Sequence, residues 1–352
     1  MGLKDLKPNK VQVLLEQYIH TLIGVRKTGK STLFRDLVNL KYNGDMSKGL
    51  MFAFEKGYQA LDGIYPVDIN KWAEYEEYVN ELISDRDELP YRLICIDTID
   101  IMVSIAEKEA IRFFNTKVEP SKRAKTINEA GGGYGRGKAY SKQIIRDSLD
   151  RLIKAGYGIV LIGHSKEKTI KEKDGTEYMQ LSCSLTNDYA DVFMDMADII
   201  TFFTVEKEIS DKQVKSSKIY MNFRSDGTID CGGRFKGLPD KIEYGAENYM
   251  KVFENAVLSS MLDKPKDLNS IKKEQEQKFE SDAVNNIKEM LTLPQLIKEI
   301  KNIMKEKLIS NEIDNAFILN VLSSHGFNTP DDINEITIAE KILEEFKLPA
   351  VA

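Results

Sequence analysis

The chain has 352 residues, more than one average domain and enough to bury a large core without disulfides. Its 50 Lys and Arg against 56 Asp and Glu leave a net charge of −6, which excludes a polycation that binds nucleic acid through its overall field. Three widely spaced cysteines (Cys95, Cys183 and Cys231) exclude a disulfide framework or a CxxC zinc site, and no apolar run reaches the length of a membrane span.

The polar start, MGLKDLKPNK, carries no secretory signal, and Leu6 stands where a myristoylation site needs Ser or Thr. A soluble, cytoplasmic protein is expected. From residue 17 to 205, short apolar runs alternate with helical periodicity. The runs are Tyr18–Ile23, Leu50–Phe54, Leu93–Ile96, Gly158–Ile162 and Ile199–Val205. Between them, Trp72, Tyr75, Val79, Leu82 and Ile83, and later Ile144, Ile145, Leu149, Leu152 and Ile153, follow a period near 3.6. Continuous apolar strands separated by helices predict an α/β fold with a mostly parallel central sheet covered on both faces. Asp174-Gly175 and Asp226-Gly227 each predict a hairpin. The charged run Asp263–Asp282 reads as a linker or a solvated helix. After it, Leu296, Ile297, Ile300 and Ile303, then Phe317, Ile318, Val321 and Leu322, predict three or four amphipathic helices, with Gly326 as a stop and Thr329-Pro330 as a start. The expected organisation is a core over 1–260, a charged linker over 261–283 and a small all-helical domain over 284–352. That domain holds 7 Lys against 11 Asp and Glu, so charge alone does not suit it to nucleic acid. No internal repeat is evident.

Gly24-Val25-Arg26-Lys27-Thr28-Gly29-Lys30-Ser31 is a full GxxxxGK[ST] pattern between the first strand and a helix. Such a loop curls its N–H groups around phosphate oxygens at a helix N-terminus. Gly24 through Thr32 are therefore the expected ATP-binding residues, with Lys30 on the β- and γ-phosphates and Ser31 on Mg²⁺. Asp97 ends the run Arg92–Ile96 and is expected in the magnesium shell, the alternative being a helix N-cap. Asp100 reads as a first-turn helix acid. Glu55 closes the second run, as a base for the attacking water or as an exposed strand-end acid. His164 follows the fourth run, as a γ-phosphate sensor or as a capping or surface histidine. His20 and His325 have no evident partners, and no metal-ligand constellation stands out.

The order of phosphate loop, strand with Glu, strand with Asp and strand with polar sensor resembles the RecA-type ATPase core. FAFEKGYQALDGIY is similar to RecA's segment around its catalytic Glu, CIDTID to its magnesium-binding strand, and LIGHSK occupies the place of its sensor strand. More closely, GYGRGKAYSKQ, ADIITFF and GGRFKGLP resemble phage-encoded ATP-binding proteins, shortened RecA relatives of which some are single-strand-annealing recombinases. The resemblance covers roughly residues 17–250 and implies a RecA-like P-loop core with Glu55 as base and His164 as sensor. RecA has Gln at the sensor position, too few residues precede the first strand for its filament-forming domain, and the helical tail has no counterpart there.

Residues 117–138 carry Lys117, Lys122, Arg123, Lys125, Arg136 and Lys138 against Glu119 and Glu129, with Tyr134 among glycines. No register satisfies GxGxxG. The stretch reads as a surface loop or, in the place of RecA's first DNA loop, as a single-strand contact in which cations follow the backbone and Tyr134 stacks on a base. Ser165–Leu181, with Lys166 and Lys168, is the second DNA-loop candidate, although its zero net charge suits a protein edge as well. Arg234 and Lys236 read as a finger reaching a neighbouring subunit's nucleotide or as a solvated hairpin end. The expected function is an oligomeric Mg-ATP-dependent ATPase, in ring or filament form, that binds single-stranded DNA and promotes annealing or strand exchange in phage recombination. The rival is a nucleotide-switched adaptor, such as a helicase loader or a replication or defence component, whose helical tail recruits a partner.

Overall fold

The computed structural model describes residues 8–116, 118–210, 213–262, 268–290, 292–310 and 312–347. Leu6, Lys117 and 263–267 of the charged run lie outside the described residues. The chain forms two compact units: residues 1–82 with 86–283, and residues 83–85 with 284–352.

The first unit is built on ten strands. In chain order they are β1 (Ile19–Gly24), β2 (Gly49–Ala53), β3 (Tyr65–Asp68), β4 (Leu93–Asp97), β5 (Gly158–Lys171), β6 (Glu177–Cys183), β7 (Ile199–Ser210), β8 (Gln213–Asn222), β9 (Gly232–Gly233) and β10 (Lys241–Glu243). The order across the sheet is β10-β8-β7-β1-β5-β4-β2-β3, with β6 on β5 and β9 on β7. Strands β7 through β3 in that order are parallel to their neighbours, and the pairings of β6, β8, β9 and β10 are antiparallel. All residues of β2 and β4 are buried, as two covered faces require.

Helices supply the covers. α1 (Lys30–Lys41) presents Leu33, Phe34, Leu37 and Val38 to one face, beside Tyr249, Val252, Phe253 and Val257 of α6 (Ala246–Ser260). Strand residues of this layer, such as Met51, Ala53, Cys95, Val160 and Ile162, alternate with others that are equally buried, such as Phe52, Ile96 and Leu161. Period-two alternation sends those to the opposite face. Further helices of this unit are α2 (Trp72–Ser84), apart from its last two residues, α3 (Ile99–Asn115), α4 (Arg136–Lys154) and α5 (Asn187–Met196). α3 and α4 touch β5, and α5 touches β1. The spacing of Ser141, Ile145, Ser148, Leu149 and Leu152 gives α4 a single buried stripe.

Several boundaries differ from the sequence reading. β5 runs past Ile162 to Lys171 and turns at Asp174-Gly175 into β6, a two-stranded arm beyond the parallel sheet. Asp226-Gly227 makes a turn but no hairpin, since Ile229 bridges in parallel to Leu181 of β6. β7 instead pairs with β8 as a long hairpin. The charged run enters α7 (Leu268–Met290), whose Ala283 is buried and whose Glu280 meets the buried Arg86 guanidinium at 2.8 Å. Arg86 also lies 5.5 Å from the centre of the Tyr157 ring.

The second unit is helical: α8 (Leu293–Ile309), α9 (Asn315–Ser324) and α10 (Ile336–Lys347). They surround Leu296, Ile300, Ile318, Leu322, Ile342 and Phe346. Thr292 and Gln295 cap α8 reciprocally. Thr329 caps only the short 3₁₀ turn Pro330–Asp332, and α10 begins later, at Ile336.

Candidate active site

The carboxyl ends of β1, β2, β4 and β5 share one edge of the sheet, where open α/β sheets bind ligands. Register fixes the neighbours: Gly24 faces His164, Ala53 faces Asp97, and Asp97 faces Ile162. Beyond β2, the Phe54 and Glu55 N–H groups donate to the Asp97 carbonyl at 2.7 and 3.1 Å, which ties Glu55 to the end of β4.

The phosphate loop leaves β1 at Gly24, whose missing Cβ would lie 2.7 Å from Phe203 Cβ and 2.9 Å from Phe203 O. Gly29, at φ +82°, precedes α1, and a Cβ there would meet the Tyr244 hydroxyl at 2.8 Å. That hydroxyl donates to Gly29 O at 3.0 Å. Thr28 Oγ1 donates to Val25 O, closing the loop on itself. Val25, Arg26 and Lys27 are exposed, and Thr32 sits half-buried in the first turn of α1.

Lys30 is 7% exposed and donates from Nζ to Gly24 O at 3.0 Å and Val25 O at 2.9 Å. Burial lowers its ammonium to about 8, only partly offset by attraction from Asp97, Asp100 and Glu55. Ser31 Oγ donates to Asp97 Oδ2 at 2.5 Å. Asp97 is itself pushed up from its ordinary range, first by burial and then by the like charge of Glu55, against the Ser31 bond and the nearby Lys30. Lys30 and Asp97 thus each feel the other's charge and that of Glu55 across the site. An open cleft of ≈ 620 Å³ adjoins them, lined by Val25, Arg26, Glu55, Asp100, Ile101, His164, Ser165 and Ser184.

Magnesium and a triphosphate suit these residues. Two glycine positions leave room only for backbone, a desolvated ammonium has carbonyl oxygens alone for partners, and a hydroxyl and a carboxylate converge beside it.

Other expected residues fall elsewhere. Arg234 lies away from its own chain's phosphate loop. Its guanidinium donates to Asp198 Oδ1 at 3.0 Å and to Asp195 O, while Asp198 Oδ2 accepts from the Ile19 N–H at 2.8 Å. That cluster lies where β1 and β7 begin, at the edge opposite Gly24. The neighbouring Lys236 N–H donates to Ser260 Oγ.

The basic stretch connects α3 to α4. Lys122 lies 3.9 Å from Glu119, Arg123 donates to Val118 O, Arg136 to Gly131 O, and Lys138 lies 3.7 Å from Asp188. Lys125 and Tyr134 are exposed, Tyr134 completely. On the arm, Lys166 donates to Leu185 O at 2.7 Å and Lys168 to Asn187 at 3.2 Å. The two remaining histidines have partners after all: His20 meets Tyr249 and Leu15 O in the core, and His325 meets Glu345. Sequence reasoning missed Asp100 and Ser184 as cleft residues and Tyr244 as the brace on Gly29. Nothing in their local sequence marks them.

A strand–loop–helix phosphate cradle at the carboxyl edge of a largely parallel sheet defines a P-loop nucleotide-binding protein. The chain belongs to the AAA domain family, which it matches over residues 16–235. It is similar to the SPbeta prophage-derived uncharacterized protein YorG of Bacillus subtilis (strain 168), with 23% identity over 292 residues, 82% of this chain and 79% of that one. Among the described residues no helix is long and apolar enough to cross a membrane, and no group of three His, Cys, Asp or Glu side chains is placed to hold a metal by itself.

Proposed function

We propose that the protein is a Mg-ATP-dependent ATPase of phage origin. The observation that carries this reading is the convergence of Lys30, the Ser31–Asp97 pair and Glu55 on one cleft-side edge. Bound Mg-ATP would supply the γ-phosphoryl group and a cation to neutralise its charge. The loop amides from Gly24 to Ser31 orient the phosphates, and Lys30 exchanges two carbonyl partners for phosphate oxygens. Ser31 and Asp97 would hold the magnesium ion. Glu55, exposed at the cleft, takes a proton from the attacking water, and His164 lines the same cleft where a γ-phosphate contact is read.

The RecA-like part of the reading is that the protein assembles as a homo-oligomer and binds single-stranded DNA through Lys125, Tyr134 and their basic neighbours, promoting annealing or strand exchange. The prophage source in the name of the similar Bacillus protein agrees with a phage setting. One observation favours the second reading, a nucleotide-switched adaptor: Lys166, Lys168, Arg136 and Lys138 bond to their own chain. ATP turnover by the full chain, with and without a single-stranded oligonucleotide, separates the two. Stimulation that falls when Arg136→Ala is combined with Lys138→Ala supports the DNA reading. Turnover indifferent to DNA supports the adaptor, and turnover that survives Lys30→Ala sinks both.

A further inference from the structure

We infer that Asp100 is a positioning residue of this site, aiming the His164 imidazole into the cleft and fastening it to the root of the β5–β6 arm. The inference rests on the ATPase reading above. Asp100 stands in the first turn of α3, where an acid ordinarily answers the helix's own N–H groups. Here both its oxygens face other segments. Oδ2 accepts from the His164 backbone N–H at 3.0 Å and lies 3.2 Å from His164 Nδ1. Oδ1 accepts from Ser184 Oγ. The Ser184 N–H in turn donates to His164 O at 2.8 Å. One carboxylate therefore joins the point where β5 leaves the parallel sheet to the residue that follows β6. The Asp100 and His164 side chains are only 17% and 20% exposed.

The chemistry follows from the acceptor. An ionised carboxylate only accepts, so Nδ1 carries the proton facing it and Nε2 is the ring atom left for the cleft shared with Arg26 and Glu55. Asp100 thus decides which nitrogen a phosphate or water in that cleft meets. Partners that orient metal-bound imidazoles typically cost about 10- to 100-fold when removed, and a loss toward the lower end of that range is expected here. The loss falls mainly on turnover, because Asp100 makes no hydrogen bond to the phosphate-loop residues and acts on Lys30 only through its charge.

The test uses the full chain labelled with ¹⁵N-histidine, in which the three histidines are assigned through His164→Gln and His20→Gln. The His164 signal is expected to report an Nδ1–H ring in the wild type and in Ser184→Ala, and to lose that signature in Asp100→Ala. Asp100→Ala should lower kcat on the order of 10-fold with KM within about twofold. Added to His164→Gln it should slow turnover no further, because both changes remove one interaction. Asp100→Asn serves the same comparison should the alanine variant unfold. An Nε2–H ring in the wild type, or independent multiplicative losses in the double variant, would overturn the assignment. An active wild type with normal Asp100→Ala turnover also sinks it, whereas an inactive wild type sinks the ATPase reading itself.

Discussion

Lys30 offers a measurement of the site before any nucleotide is added. Its ammonium falls from 10.5 to about 8 on folding, chiefly through burial. Between those values the unfolded chain holds a proton that the native chain has released, so stability rises with pH across that window and is level outside it. At 1.36 kcal/mol per pH unit the full window is worth about 3 kcal/mol, of which about 2 kcal/mol falls between pH 7.5 and pH 10. Lys30→Met deletes the titration and cancels every other group in the comparison. Urea melts of both proteins at the two pH values can be followed by the fluorescence of Trp72, the one tryptophan, buried in the same unit. The wild type should gain about 2 kcal/mol on Lys30→Met at the higher pH. Saturating Mg-ATP should shrink that gain, since phosphate charge raises the ammonium back toward its ordinary range. Parallel pH dependences in the two proteins would refute the desolvated ammonium, and with it the idea that this residue waits for an anion.

Three further outcomes are expected. Glu280→Ala, although it alters a half-exposed side chain, should cost about 2–3 kcal/mol in urea melts, because it strands the Arg86 guanidinium in the core; a loss below about 0.5 kcal/mol would mean that the pair behaves as a surface one. His20 is held down from 6.5 to about 4 by burial, so the unfolded chain takes up the proton first as pH drops. The wild type should therefore lose about 3 kcal/mol relative to His20→Gln between pH 6.5 and 4, and equal acid midpoints would count against it. Asp97→Asn should make nucleotide affinity, measured by calorimetry, nearly independent of magnesium while leaving the metal-free component in place.

The parallel core was legible because its strands are covered on both faces and so read as mostly apolar runs, from Ile19–Gly24 to Ile199–Phe203, broken only by His20, Thr21 and Thr201. The phosphate loop was legible because glycine spacing is a backbone requirement written into local sequence. What failed to show was set by distant partners. The β7–β8 hairpin carries polar, charged residues along an arm whose outer part is exposed on both faces, and β3 contains Pro66, which suits an edge strand and weakens a strand signal. Asp226-Gly227 turns as its dipeptide demands, yet the destination is chosen by Leu181. The Arg234–Asp198 pair did not show because its partners lie 36 residues apart, and Asp100 looked like an ordinary first-turn acid because its donors come from residues 164 and 184. The charged run could be read as a helix, but not the single glutamate in it that answers a buried arginine.

Gly24 carries a consequence for how this motif is to be compared among relatives. Its side-chain space is filled by Phe203 of the adjoining strand, whose Cβ and carbonyl stand closer than any methyl group tolerates. The glycine is therefore demanded by strand packing as well as by phosphate. A descendant that had abandoned nucleotides altogether would still keep it, while Lys30 and Ser31 drifted. Retention of the leading glycine says little about activity in such a lineage, and the lysine–serine pair is the informative part of the signature.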